Sequence, residues 1–103
     1  MLRRNNLTHI LHDPPRDRGP TDEELQRTLP LLIQAFRQGM GNRKDHMTLT
    51  AHTLCYTYQG PPKRLIRMLG VRPAYRVQLR KALGLKILKY SQGVFSLWWK
   101  ENV

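Results

Sequence analysis

Acidic residues are scarce in this 103-residue chain, which has seven Asp or Glu against eighteen Lys or Arg. The shortage is greatest in residues 61–103, where Glu101 is the single acid beside ten basic residues, a net charge of +9. Residues 1–60 carry the other +2 of the total of +11. Charge of one sign concentrated on a folded unit is typical of a surface that binds a polyanion, most often nucleic acid. The alternative is a solvated basic face that only keeps the protein soluble.

Other features are missing too, and each absence excludes a class of protein. The single cysteine, Cys55, excludes an internal disulfide and gives no sign of an oxidising compartment. No apolar run approaches the roughly 20 residues that span a bilayer. The sequence contains no Gly-rich phosphate loop, nucleophile elbow or paired-carboxylate arrangement. We therefore expect no enzyme, no cofactor and no membrane association. The expected location is the cytoplasm of a bacterium or virus-infected host cell, or the nucleus in a eukaryote.

Metal binding has little support in the positions of the histidines and the cysteine. His9 and His12 are three residues apart near the N-terminus, and His52 and Cys55 are three apart further along. Zinc needs three or four protein ligands, and neither pair supplies them. We expect no metal site, and we interpret Cys55 as a small residue on an apolar helix face.

The spacing of apolar and helix-breaking residues predicts an N-terminal arm with a Pro-rich linker over residues 1–20 and one mainly α-helical domain over 21–103. The domain begins with a helix over 22–38, because Thr21 and Glu24 form a capping box. Pro30 lies inside this helix and is expected to kink or split it. A second helix is expected after Asp45. Its apolar face would consist of Met47, Ala51, Leu54, Cys55 and Tyr58.

The basic segment is predicted to contain two short helices and a β-hairpin. The helices cover 62–69 and 73–83 and are separated by a turn at 70–71. Two β-prone runs, 85–90 and 94–99, follow, joined by a three-residue loop whose glycine adopts a left-handed conformation. Alternation along the second run directs Phe95, Leu97 and Trp99 to one side. At most one of the two tryptophans is then exposed, and core packing is favoured over base stacking.

This order of elements resembles the winged helix-turn-helix family of DNA-binding domains. The resemblance is carried by PKRLIRMLGV at 62–71 and RPAYRVQLRKAL at 72–83, with the hairpin 85–99 as the wing, and it covers 46–103 when the preceding helix is included. Ile66 stands where the family usually has a small residue, and Arg76 where a buried Val or Ile is usual. The resemblance implies a winged helix-turn-helix-like fold, preceded here by the arm and an additional helix.

A helical wheel of the second short helix separates an inward face from a basic face. Tyr75, Leu79, Ala82 and Leu83 are predicted to point inward, and the opposite side is predicted to contact the major groove. Arginine there can bond to guanine O6 and N7, and valine can contact a thymine methyl. The predicted residues of this surface are Arg72, Arg76, Val77, Arg80 and Lys81.

Phosphate contacts are predicted at the other two elements of this unit. Lys63 and Arg64 begin a helix, where backbone amides and the dipole favour an anion. The hairpin contributes Lys86, Lys89, Ser91 and Gln92, which would contact phosphates or the minor groove and position the protein. The alternative is that the two hairpin lysines only protect a sheet edge from aggregation.

The predicted function is sequence-specific binding of double-stranded DNA, as a small transcriptional repressor or regulator of a phage, plasmid or mobile element. A homodimer through residues 1–40 is predicted, because two-fold symmetry would double the contacts. Two alternatives remain: a protein-binding inhibitor or adaptor with a basic docking face, and a structural RNA-binding component of a ribonucleoprotein.

Overall fold

The computed structural model describes residues 19–101 of the chain. This part folds into helices and a small antiparallel sheet. The elements are α1 (Asp22–Met40), β1 (His46–Thr50), α2 (Lys63–Val71), α3 (Pro73–Ala82), β2 (Ile87–Ser91) and β3 (Val94–Trp98). The sheet order is β1-β3-β2, with both pairs antiparallel. The prediction of a helical chain ending in a β-hairpin is confirmed at this level. Most of the predicted arm, including His9 and His12, lies outside the described residues.

Helix α1 begins as predicted and is longer than expected. The Glu24 amide donates to the Thr21 hydroxyl at 3.1 Å, which satisfies one of the free amides of the first turn. The helix continues through Pro30 and is not split there, one of the two outcomes expected of this proline. Leu29 and Leu32, on either side of the proline, are buried in the core. Burial of such side chains stabilises by about 1.5–3 kcal/mol each, which offsets the roughly 3 kcal/mol cost of an interior proline.

The predicted second helix is wrong in its first half, which is strand β1. Met47 fits the predicted helical face, but Leu49, two residues further on, does not, and both point to the core side of the sheet. Threonines at 48 and 50 favour a strand, and β3 supplies the hydrogen-bonding partner. The chain then forms a short π-helical segment, Thr53–Thr57, in place of the predicted regular helix.

The β2–β3 hairpin is confirmed, with a tighter turn than predicted. Its loop is the two residues Gln92 and Gly93, with φ angles of 50° and 82°. Positive φ at both central residues is the type I′ arrangement, whose twist matches that of the strands. Phe95 and Leu97 are buried and Trp99 packs against the core, as the alternation predicted.

The core lies between the helices and one face of the sheet. Phe36 of α1 contacts Phe95 of β3 edge to face, with ring centroids 5.0 Å apart. The other face of the sheet carries Thr48, Ser96 and Lys89 at neighbouring positions of its three strands. One packed face and one polar face are usual for an antiparallel sheet. None of the helices between residues 19 and 101 combines the length and the apolar composition needed to cross a bilayer.

The junction of α2 and α3 is shorter than the predicted turn at 70–71. Helix α2 continues to Val71, and Arg72 alone separates it from α3. Gly70 is therefore helical, and its role is to allow a close approach. A Cβ atom at Gly70 would lie 2.7–2.9 Å from ring carbons of Tyr90. Because glycine has no Cβ atom, the Tyr90 ring of the hairpin can pack directly against α2.

Candidate nucleic-acid interface

The candidate interface is the surface of α2, α3 and the β2–β3 hairpin. All ten charged residues between positions 46 and 100 are Lys or Arg. The acids among residues 19–101 are at the start of α1, at Asp45 and at Glu101. The acids of this described part of the chain therefore neutralise little of the charge on these three elements.

Helix α2 presents exposed cations on its outward face. Leu65, Ile66 and Leu69 are buried, which turns Arg64 and Arg67 to the exposed side. Within residues 19–101, neither arginine forms an ion pair. Lys63, predicted with Arg64 to bind phosphate, is half-buried in the first turn. Arg67 was absent from the predicted set, although its spacing of three from Arg64 places both on one face.

Helix α3 is oriented largely as the helical wheel predicted. Tyr75, Leu79 and Leu83 are buried, and Ala82 is exposed, contrary to the prediction. The side opposite the buried residues is exposed. It consists of Pro73, Ala74, Val77 and Lys81.

Arg76 and Arg80 lie on the flank of α3, which corrects their predicted position on the outward face. Arg76 Nη1 donates to the Gly70 carbonyl at 2.7 Å, and Arg80 Nη1 donates to the Leu85 carbonyl at 3.4 Å. The Gly70 carbonyl is one of the last four of α2 and has no partner within the helix. A cation at this helix end also interacts favourably with the dipole. Arg76 therefore bonds to the end of the preceding helix.

Arg72 is also engaged within the protein. Its Nη1 atom lies 2.6 Å from Asp22 Oδ1 at the start of α1. The Tyr75 hydroxyl donates to the same carboxylate at 3.3 Å. Burial raises the pKa of the Tyr75 phenol, and the negative charge of Asp22 raises it further. These three side chains line an open cleft of about 430 Å³ between the N-terminal ends of α1 and α3. Arg72 therefore holds α3 against α1.

The hairpin residues predicted to contact nucleic acid are exposed, namely Lys86, Lys89, Ser91 and Gln92. The Gly93 carbonyl accepts from the Ala51 amide at 2.8 Å, which ties the hairpin tip to the chain after β1. On the polar face of the sheet, Trp98 is half-buried. The His46 ring lies 4.7 Å from its ring, and Lys89 Nζ lies 5.5 Å from its centroid. These neighbours leave Trp98 a poor platform for base stacking.

The other candidate chemistry does not assemble in the described part of the chain. No group of three His, Cys, Asp or Glu that could hold a metal ion occurs among residues 19–101. The His52 ring lies 4.6 Å from that of Tyr56, and Cys55 packs against the core. Comparison with protein-family models, curated proteins and solved structures gives no match for this chain.

Proposed function

We propose that this protein binds double-stranded DNA sequence-specifically through α2, α3 and the β2–β3 hairpin. One observation carries the proposal: these elements present exposed lysines and arginines, and no acid occurs between residues 46 and 100. A surface of this kind attracts phosphates and releases their counterions. Acids are grouped instead at the start of α1, where they suit the helix dipole.

The arrangement of the elements supports a winged helix-turn-helix-like mode of binding. Helix α3 has ten residues and is about 15 Å long, which suits insertion into the major groove. Lys63 and Arg64 at the start of α2 would contact backbone phosphates, joined by Arg67. The hairpin, with β3 in the middle of a three-stranded sheet, would contact the flanking backbone through Lys86 and Lys89. A small transcriptional repressor or regulator is the role that this mode of binding suits best.

A homodimer through residues 1–40 stays part of the proposal. The apolar residues on the inner side of α1 are used by the protein's own core, and Leu31 is the large apolar side chain exposed on the outer side, at 54%. Two-fold symmetry would pair two α3 helices on successive major grooves. Sedimentation of the protein alone and with duplex DNA tests this, since a monomer in both conditions contradicts it.

The proposed function is tested by the salt dependence of duplex binding, measured by fluorescence anisotropy. The triple variant Lys63→Gln, Arg64→Gln and Arg67→Gln should bind more weakly than the parent. Its slope of log K against log salt should be shallower by roughly 0.9 for each phosphate that the variant no longer neutralises. Arg27→Gln is the matched control, because Arg27 is an exposed arginine of α1 paired with Glu23 at 3.6 Å.

The proposal is contradicted if the triple variant and Arg27→Gln bind duplex DNA with the same affinity and slope. A structured RNA hairpin and an acidic protein are the competing probes. Preference for the RNA over every duplex would favour a ribonucleoprotein component. Binding of the acidic protein without binding of either nucleic acid would favour an inhibitor or adaptor.

A further inference from the structure

We infer that the outward face of α3 selects DNA sites by contacting thymine methyl groups through Val77 and Ala74. Arg76 and Arg80 hold α3 in place and do not contact bases. The inference rests on the proposed function and names the class of sequence that the same surface binds.

The exposed side of α3 is mostly apolar. Pro73, Ala74 and Val77 present apolar groups, and Lys81 is the cation beside them. Val77 is 44% exposed. One exposed valine on a protein surface needs no explanation by itself. This valine is in the middle of the outward face of the helix that enters the groove, where it must lie against base edges.

The two arginines that flank this side of α3 form hydrogen bonds within the protein. Arg76 bonds to the Gly70 carbonyl at 2.7 Å, and Arg80 bonds to Leu85 in the connection to β2. An arginine that turned to a base would leave its carbonyl without this partner, and an unpaired carbonyl is costly where it is shielded from water. The guanidinium groups therefore join α3 to α2 and to the connection that leads to β2.

The major groove offers one kind of apolar group to such a surface. Thymine carries the apolar group there, its C5 methyl, whereas guanine, cytosine and adenine present hydrogen-bonding atoms. An apolar side chain over those polar atoms displaces their water and provides no hydrogen bond to replace it, which costs free energy. Val77 and Ala74 therefore favour thymine at the positions they face and disfavour G·C pairs. Lys81 is long enough to contact a neighbouring guanine or a phosphate.

The test begins by selecting high-affinity duplexes from a random-sequence pool. Each thymine of a selected duplex is then replaced by deoxyuridine, which removes only the methyl group. At one or two positions the parent should lose about fourfold in affinity, the equivalent of one buried methyl. In Val77→Ala the loss at the position facing Val77 should disappear. Val77→Thr keeps one of the two methyls and should give an intermediate loss.

Tyr56→Ala is the control variant, because Tyr56 is also an exposed large apolar residue, at 63%, but lies outside residues 1–40 and outside α2, α3 and the hairpin. It should show the same losses as the parent. Thermal unfolding of each variant confirms folding, and none of these substitutions is in the core.

Two results would overturn the inference while sequence-specific, salt-dependent duplex binding left the proposed function standing. They are deoxyuridine without effect at every position and a methyl effect that persists in Val77→Ala. A selection that yields no preferred sequence would refute the sequence specificity of the proposed function together with the inference. A change of base preference in Arg76→Gln, with none in Val77→Ala, would overturn it as well. Absence of any duplex binding would instead refute the proposed function and this inference together.

Discussion

Replacing Gly70 by alanine should destabilise this protein, although the same change stabilises most helices. In a helix interior, alanine is favoured over glycine by about 1 kcal/mol, because glycine loses more conformational freedom on folding. Gly70 is buried in the last turn of α2 and faces Tyr90 of the hairpin. An alanine Cβ atom would lie 2.7 Å from Tyr90 Cδ1 and 2.8 Å from its Cγ. The backbone or the ring must therefore move.

The Tyr90 ring has little room to move away. It packs on Phe95 with centroids 4.5 Å apart, and Phe95 in turn contacts Phe36 at 5.0 Å. Overpacking of this kind costs about 1–3 kcal/mol. Subtracting the gain in helix propensity leaves a net loss of about 1 kcal/mol in the free energy of unfolding, and at most about 2 kcal/mol.

Urea denaturation followed by circular dichroism measures this loss as a lower transition midpoint at unchanged slope. Gly39→Ala is the matched control. Its Cβ atom would lie 3.0 Å from the Leu49 methyl carbons and 3.1 Å from a Tyr58 ring atom, contacts that small shifts relieve. That variant should stay within about 0.5 kcal/mol of the parent.

A double-mutant cycle identifies the cause of the loss at Gly70. In a Tyr90→Leu background, the smaller side chain removes the clash, and Gly70→Ala should become neutral or stabilising. An unchanged penalty in that background would show that Tyr90 is not responsible. A Gly70→Ala variant at least as stable as the parent would refute the proposed close packing of α2 against the hairpin.

The remaining predictions concern the contacts that join α3 to α1. Tyr75→Phe should lower the free energy of unfolding near pH 7 by about 1 kcal/mol, because it removes the hydrogen bond to Asp22. The pKa of Tyr75 is raised in the folded state, so its contribution is complete below about pH 10 and is lost as the pH rises further. The stability difference between parent and variant should therefore shrink in alkaline solution, and a constant difference would contradict this sign. Asp22→Asn removes the exposed ion pair with Arg72 and should cost less than about 1 kcal/mol. The same variant should lower the pKa of Tyr75 in an ultraviolet titration, while burial keeps it above its ordinary value.

The features predicted correctly from the sequence depend on near neighbours in the chain. Thr21 caps α1 because Glu24 is three residues away, and Gly93 closes the hairpin because it tolerates a positive φ. Strand β1 was missed for the opposite reason. Met47 fits a helical pattern with Ala51 and Leu54 and an alternating pattern with Leu49, and the choice between them depends on β3, which is more than forty residues further along the chain.

The candidate interface likewise has some features that could be predicted from the sequence and others that could not. Its positive charge, and the exposure of Val77 and Lys81, were predictable from composition and helical periodicity. The hydrogen-bond partners of the arginines could not be predicted in this way. Arg72 bonds to a carboxylate fifty residues away, and Arg76 bonds to a carbonyl whose position depends on how α2 ends. A helical wheel gives the direction of a side chain and contains no information about its partner.

The amino-acid sequence by itself therefore determined where charge accumulates, which residues are apolar enough to form the core, where α1 begins and where the hairpin turn ends. These properties depend on residue type and short spacing. Only the tertiary structure decided that residues 46–50 complete a sheet, that Gly70 makes room for Tyr90, and that three arginines hold α3 in place. Those outcomes depend on hydrogen-bond partners and packing surfaces that exist only after distant segments have come together.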